Sequence, residues 1–339
     1  LINARIVTIC IATIRVMSPH QSFSVDIPTD VFFGALTALV AIGMGAIAAT
    51  VIVQFVATWQ ASAREKMVNR YALRLNLMVA EGMRPALEHQ LAMRTRGGLL
   101  GAMAALGVIV AIFLPWSSAP MNLGLASSII SVGSALMLTQ LGTIIGGALA
   151  RRAAPTTETV ARLHLVGLAE LVAPVERRMA AVAAALAVGL PTLLLVIITL
   201  PGADAPEAIA RSAPPLAIVG LGAGSLYLAL PRIARRLVSR RALLGDAGAL
   251  AWSDALAAQS LRDLHWLVAT VGGLVGFTAL QALGVAFPTG AEAATMVWIN
   301  LIGYLGFIGL LLVIVIVLAR SPERHVQRTL WPEFAIVAK

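Results

Sequence analysis

Polar and apolar positions are sorted into long blocks along this chain, not into the short alternations of a soluble fold. Seven apolar runs stand out, at approximately 31–57, 98–116, 124–150, 179–200, 214–231, 266–287 and 294–319, and none contains Asp, Glu, Lys or Arg. About 20 apolar residues cross a hydrocarbon core roughly 30 Å thick. A helix satisfies its backbone polar groups within one segment, so each run is predicted to be a membrane-spanning helix. The predicted fold class is all-α, a polytopic transmembrane helical bundle of about seven spans.

The polar blocks between the runs set the expected orientation. Segments 59–97, 151–178, 232–265 and 320–339 hold twenty-two of the 25 Lys and Arg residues. Counted from Met17, the remaining connections hold one base, Arg211, against Asp26, Asp30, Asp204, Glu207 and Glu292. Basic loops stay on the cytoplasmic side. The N-terminus is therefore expected outside and the C-terminus inside. This divides the chain into an N-terminal segment 1–30, a seven-span domain 31–319 with cytoplasmic segments 59–97, 151–178 and 232–265, and a cytoplasmic tail 320–339. Residues 1–16 read as upstream of a native start at Met17.

After the first run, the chain passes three times through a cytoplasmic segment, a span, an outer turn and a span. The outer turns open at Pro115, Pro201 and Pro288. Units running in one direction would be parallel repeats. Helical spacing within the cytoplasmic segments predicts further helices over 71–83, where Leu73 pairs with Leu77, and over 157–172. Asp246 is placed to cap a helix entering the sixth run.

Composition agrees with a membrane protein. Hydrophobic residues make up 59% of the chain and charged residues 12%, against about 25% charged in a soluble domain. The mean hydropathy is +0.89 and the pI about 11.1. That basicity raises nucleic-acid binding as a rival reading. Arg232, Arg235, Arg236, Arg240 and Arg241, however, follow the fifth run without the interleaved readers that nucleic acid requires. They are expected to act as juxtamembrane anchors for anionic headgroups, at about 1 kcal/mol each. The lone Cys10 excludes an intramolecular disulfide framework and a CxxC site.

Candidate chemistry is sparse. A phosphate-cradling loop with its Lys, a zinc-protease motif and a nucleophile elbow are all absent. No catalytic residue, cofactor or metal site is expected, and the chain reads as a non-enzyme. His89, His164 and His265 fall one per cytoplasmic segment and read as solvated or interfacial. Gly142 with Gly146, Gly272 with Gly276, and the series Gly303, Gly306, Gly309 have the small-residue spacing of close helix packing. Gln140, Gln281 and Asn300 are the candidates for lining a polar cavity, with a Gln281–Asn300 hydrogen bond expected. Pro191 is expected to kink the fourth span. No run holds an ionisable residue, which argues against a proton- or sodium-coupled pump.

One span plus three hairpins, with sizeable inner segments, fits a permease-like transport component of a bacterial cytoplasmic membrane that lacks its own ATPase. The alternative is a non-transporting scaffold or regulatory protein whose cytoplasmic helices bind a partner. The expected partners are the bilayer with its anionic headgroups, a separate cytoplasmic ATPase or regulatory subunit, and a further copy of the chain through a glycine face; nucleic acid is not among them. Ala80-Glu81-Gly82 is the nearest stretch to the coupling motif of binding-protein-dependent permeases, and it does not match.

Overall fold

The computed structural model describes residues 29–116, 122–152, 167–199, 207–239 and 247–286, with isolated positions between 301 and 331. Nearly all the described residues are helical, with no strands among them. Contacts divide the chain into Leu1–Ala46 and Ile47–Lys339. Residues 29–46 of the first unit form the beginning of α1, Thr29–Ala57. The remaining elements are α2 Ala61–Leu75, a 3-10 turn Glu81–Met83, α3 Arg84–Trp116, α4 Asn122–Arg152, α5 Leu168–Leu171, α6 Pro174–Thr199, α7 Glu207–Ser239 and α8 Ala247–Ala286.

Five stretches are long and apolar enough to cross a membrane: Glu81–Ala111, Ser131–Arg151, Pro174–Thr199, Ala213–Leu237 and Gly248–Leu283. The pair Gly43–Ala57 and Ala61–Leu75, bent by 96°, adds a sixth if counted as one span. The first six apolar runs of the sequence lie inside α1, α3, α4, α6, α7 and α8. The seventh, 294–319, falls outside the described residues except at isolated positions.

One expectation needs correction. The helix predicted over 71–83 ends at Leu75, where Asn76 takes a left-handed φ of 49°. Asn tolerates that conformation and closes the helix; Leu77 N–H then donates back to Ala72 O at 3.1 Å. Leu73, paired with Leu77 by spacing, is 82% exposed. Of the helix predicted over 157–172, residues 157–166 lie outside the described residues, and the rest holds the single turn α5. That turn closes before Pro174, because the residue ahead of a proline avoids the helical region. The seventh helix, α7, continues through Pro231 and past Arg232, Arg235 and Arg236 to Ser239. Asp246 lies outside the described residues.

The long helices form two groups. In the first, α3 and α4 pack as an antiparallel hairpin, with α2 against α3. In the second, α6, α7 and α8 pack on one another. The groups meet where α4 packs along α8. The apolar stretch of α8 is 61% buried, against 28% or less for the others, so α8 is the central helix.

Backbone proximity explains the α3–α4 pair. A β-carbon on Gly97 or Gly101 would strike the carbonyls of Gly142 or Leu138, and one on Gly142 or Gly146 those of Gly97 or Met93. Small residues on both helices let the chains approach until dispersion holds them. Pro191, buried within α6, cannot donate to the carbonyl four residues earlier. That carbonyl, on Ala187, is the one Gly220 of α7 packs against.

Candidate functional site

The first half of α8 carries polar side chains to several neighbouring elements. Trp252, fully buried, donates its indole N–H to Met78 O at 3.0 Å. One turn and more along, Gln259 accepts from Tyr71 Oη at 2.5 Å. Asp263 pairs with Arg94 of α3 at 2.5 Å. Arg262, on the next face, pairs with Glu176 of α6 at 2.9 Å, with side chains 9% and 1% exposed. Ser260 and the Leu256 carbonyl both receive Arg151 of α4. Three helices, α3, α4 and α6, are thus fastened to α8 at one end by charge-assisted bonds, which are about twice as strong as neutral ones, and α2 by the neutral Tyr71–Gln259 bond.

The same end gathers other parts of the chain. Thr58 and Trp59, at the bend after α1, are held by Arg96 of α3: its guanidinium bonds Thr58 Oγ1 and O at 3.1 and 3.0 Å and lies 3.7 Å over the Trp59 ring. Trp331 donates to Asp254 at 3.2 Å, and His325 Nε2 donates to Ala169 O at 3.2 Å.

Beyond this clamp runs the seam between the two helix groups. Arg151 stands opposite Leu256 and Ser260, and Gly133 lies against Leu274. This antiparallel register sets Gln140 of α4 level with Thr270 of α8. Gln281 sits nearer the other end of α8, whereas Ser131, eleven residues before Gly142, shares the face of α4 that packs on α3. Each of the four has a buried polar atom with no hydrogen-bond partner: Ser131 Oγ, Gln140 Oε1, Thr270 Oγ1 and Gln281 Nε2. The contrast with neighbouring threonines is informative. Thr139, Thr143, Thr192 and Thr278 each donate to the carbonyl four residues back, the usual local solution in a helix. Thr270 does not.

Gln140 and Gln281 were candidates from sequence; Asn300, and with it the expected Gln281–Asn300 bond, lies outside the described residues. Ser131 and Thr270 were missed. A lone hydroxyl in an apolar run carries no sign of whether it bonds its own helix. Among the candidate glycines, Gly142 and Gly146 face α3, and Gly272 stands against the Ala183 carbonyl. Gly276 makes ordinary contact with Leu186 and Leu190, and Gly306 and Gly309 have nothing within 4 Å of an added β-carbon. Gly303 is outside the described residues. Gly97 and Gly101 were overlooked, although their four-residue spacing matches that of Gly142 and Gly146. Arg232, Arg235 and Arg236 are exposed on α7; Arg240 and Arg241 are outside the described residues.

His265 corrects another expectation. It is 2% exposed, not solvated, because α8 continues inward through it and α6 covers that face. Its Nδ1 donates to Leu261 O at 2.7 Å, leaving Nε2 as an acceptor in the neutral ring. That Nε2 and the neighbouring Glu176 Oε2 have no hydrogen-bond partner. His89 is exposed and His164 lies outside the described residues. Among the described residues no three His, Cys, Asp or Glu side chains gather to hold a metal.

Comparisons against protein-family models, curated proteins and solved structures found no match to this chain.

Proposed function

We propose that the chain is a seven-span protein of a bacterial cytoplasmic membrane, N-terminus outside and C-terminus inside. It acts as the membrane component of a transport system and draws its energy from a separate partner. The observation that carries the reading is the set Gln140, Thr270 and Gln281, whose buried polar atoms along the α4–α8 seam have no hydrogen-bond partner. In hydrocarbon, each such group costs several kcal/mol unless it finds a partner or water. Polar groups retained on both walls of one seam suit a path for a polar solute.

Two helix groups that meet along one seam can also rock against each other, as alternating access requires. In this reading the clamp controls the inner mouth: Arg94–Asp263 and Arg151–Ser260 both cross between the groups. Opening the mouth means breaking them. The absence of ionisable residues from the apolar runs leaves the energy to come from outside the bundle.

Thiol labelling tests the path. In a Cys10→Ser background, Gln140→Cys and Thr270→Cys are expected to react in membranes with a small water-soluble methanethiosulfonate, since only a hydrated thiol ionises. Leu141→Cys, from a side chain that is 39% exposed on the bundle surface, is expected to stay unreactive. Adding Asp263→Asn is expected to speed both seam reactions. If neither seam position reacts in folded protein, the path is closed to water and the scaffold reading replaces transport.

A further inference from the structure

A cavity of about 220 Å³ opens between α2, α3 and α8, several times the about 30 Å³ of a water molecule. Three arginines line it: Arg70 and Arg74 from α2 and Arg94 from α3, joined by Thr95 and Gln259. Arg70 and Arg74 stand one helical turn apart on the same face, where like charges repel. Neither has an ion-pair or hydrogen-bond partner among the described residues. Arg94 is oriented by Asp263, and a guanidinium has five donors, so it can still turn others to a ligand. No carboxylate lines the cavity. The lining is therefore set for an anion with several acceptor oxygens.

Its position narrows the choice. Leu91, Arg94 and Thr95 directly precede the third helix's apolar run at 98–116. The chain turns by 96° between α1 and α2, so α2 runs across the end of a span and not along it. Met67 and Leu91 supply an apolar part of the wall. Leu73 in the last turn of α2 and Met78 just beyond it are 82% and 94% exposed, which suits contact with acyl chains. We propose that this cavity binds the phosphate of an anionic glycerophospholipid headgroup, with Arg70 and Arg74 as its principal ligands. Arginine suits the task because its planar fork meets phosphate oxygens in pairs. A choline headgroup would bring a cation toward three arginines and is disfavoured. This inference does not depend on the transport reading.

Native mass spectrometry of the purified full-length protein tests it, with phosphatidylglycerol, phosphatidylcholine and inorganic phosphate as probes. Phosphatidylglycerol is expected to bind about tenfold more tightly than phosphatidylcholine, the ratio expected of roughly one charge-assisted contact. Arg70→Gln/Arg74→Gln is expected to remove that preference. Lys66→Gln/Arg235→Gln, which removes the same charge from side chains outside the cavity, is expected to keep it. Arg70→Lys/Arg74→Lys preserves charge but not the fork and is expected to lose several-fold, which guards against a folding defect in the Gln variant. Equal loss in the Gln variant and the Lys66/Arg235 control would reduce the effect to general charge attraction and overturn the site. Displacement of the lipid by equimolar inorganic phosphate would assign the cavity to a soluble anion and overturn the lipid. Equal binding of the two lipids by the unmodified protein would do the same.

Discussion

At Gly220 a single methyl group would run into the carbonyl oxygen of Ala187, and that carbonyl is open because Pro191 has no N–H to offer it. The sequence shows a glycine in one apolar run and a proline in another; only the packing of α6 on α7 makes them one device. Gly220→Ala is expected to destabilise by about 1–3 kcal/mol through overpacking. Gly222→Ala, with nothing within 4 Å, is expected to be neutral or slightly stabilising by helix propensity. Thermal unfolding in detergent compares the two, and equal midpoints would refute the contact. The same limit applies to Glu176 and Arg262. Both sit just ahead of apolar runs and read as ordinary cytoplasmic charges. Their burial depends on a partner 86 residues away, which no local pattern reveals.

At the scale of elements, what was legible is what lipid dictates. The first six apolar runs fall inside long helices because an uncharged stretch of that length has no other way to satisfy its backbone. Where the helices end was less legible, since water-side boundaries depend on caps and tertiary contacts. Residues 71–83 show this: Leu73 and Leu77 have helical spacing, yet Asn76 closes α2 and the chain continues without regular structure to Ala80. The Trp252 indole, bonded to Met78 O, anchors that connection to α8. Trp252→Phe keeps a ring against Tyr71 but removes the donor. It is expected to cost about 1–2 kcal/mol and to speed amide exchange over residues 76–80 ahead of the helices around them. Hydrogen exchange followed by mass spectrometry reads this directly. Unchanged exchange over 76–80 would mean the connection is held by packing alone.

For the whole molecule, two independent lines of reasoning put the basic segments on one side. The first is charge: twenty-two of 25 bases fall in four alternate segments, the distribution expected of cytoplasmic loops. The second is contact: Trp331 reaches Asp254, His325 reaches Ala169, and Arg94, Arg151, Glu176 and Arg262 meet around α8. Parts of all four basic segments therefore meet at one end of the bundle, as segments sharing one side of a membrane must. If that end faces the cytoplasm, single cysteines in a Cys10→Ser background should separate by side. Ser118→Cys and Ala205→Cys, in the two turns expected outside, should react with an impermeant maleimide in intact cells. Ser239→Cys, at the end of α7 and beside the basic cluster, should react only after permeabilisation. Replacing Arg232, Arg235, Arg236, Arg240 and Arg241 together by Glu should lower inserted yield severalfold, because the insertion machinery reads that positive charge. Single Arg→Lys changes should leave it unaltered. Labelling of Ser239→Cys in sealed cells would invert the assignment, putting the clamp and the arginine-lined cavity on the outer face.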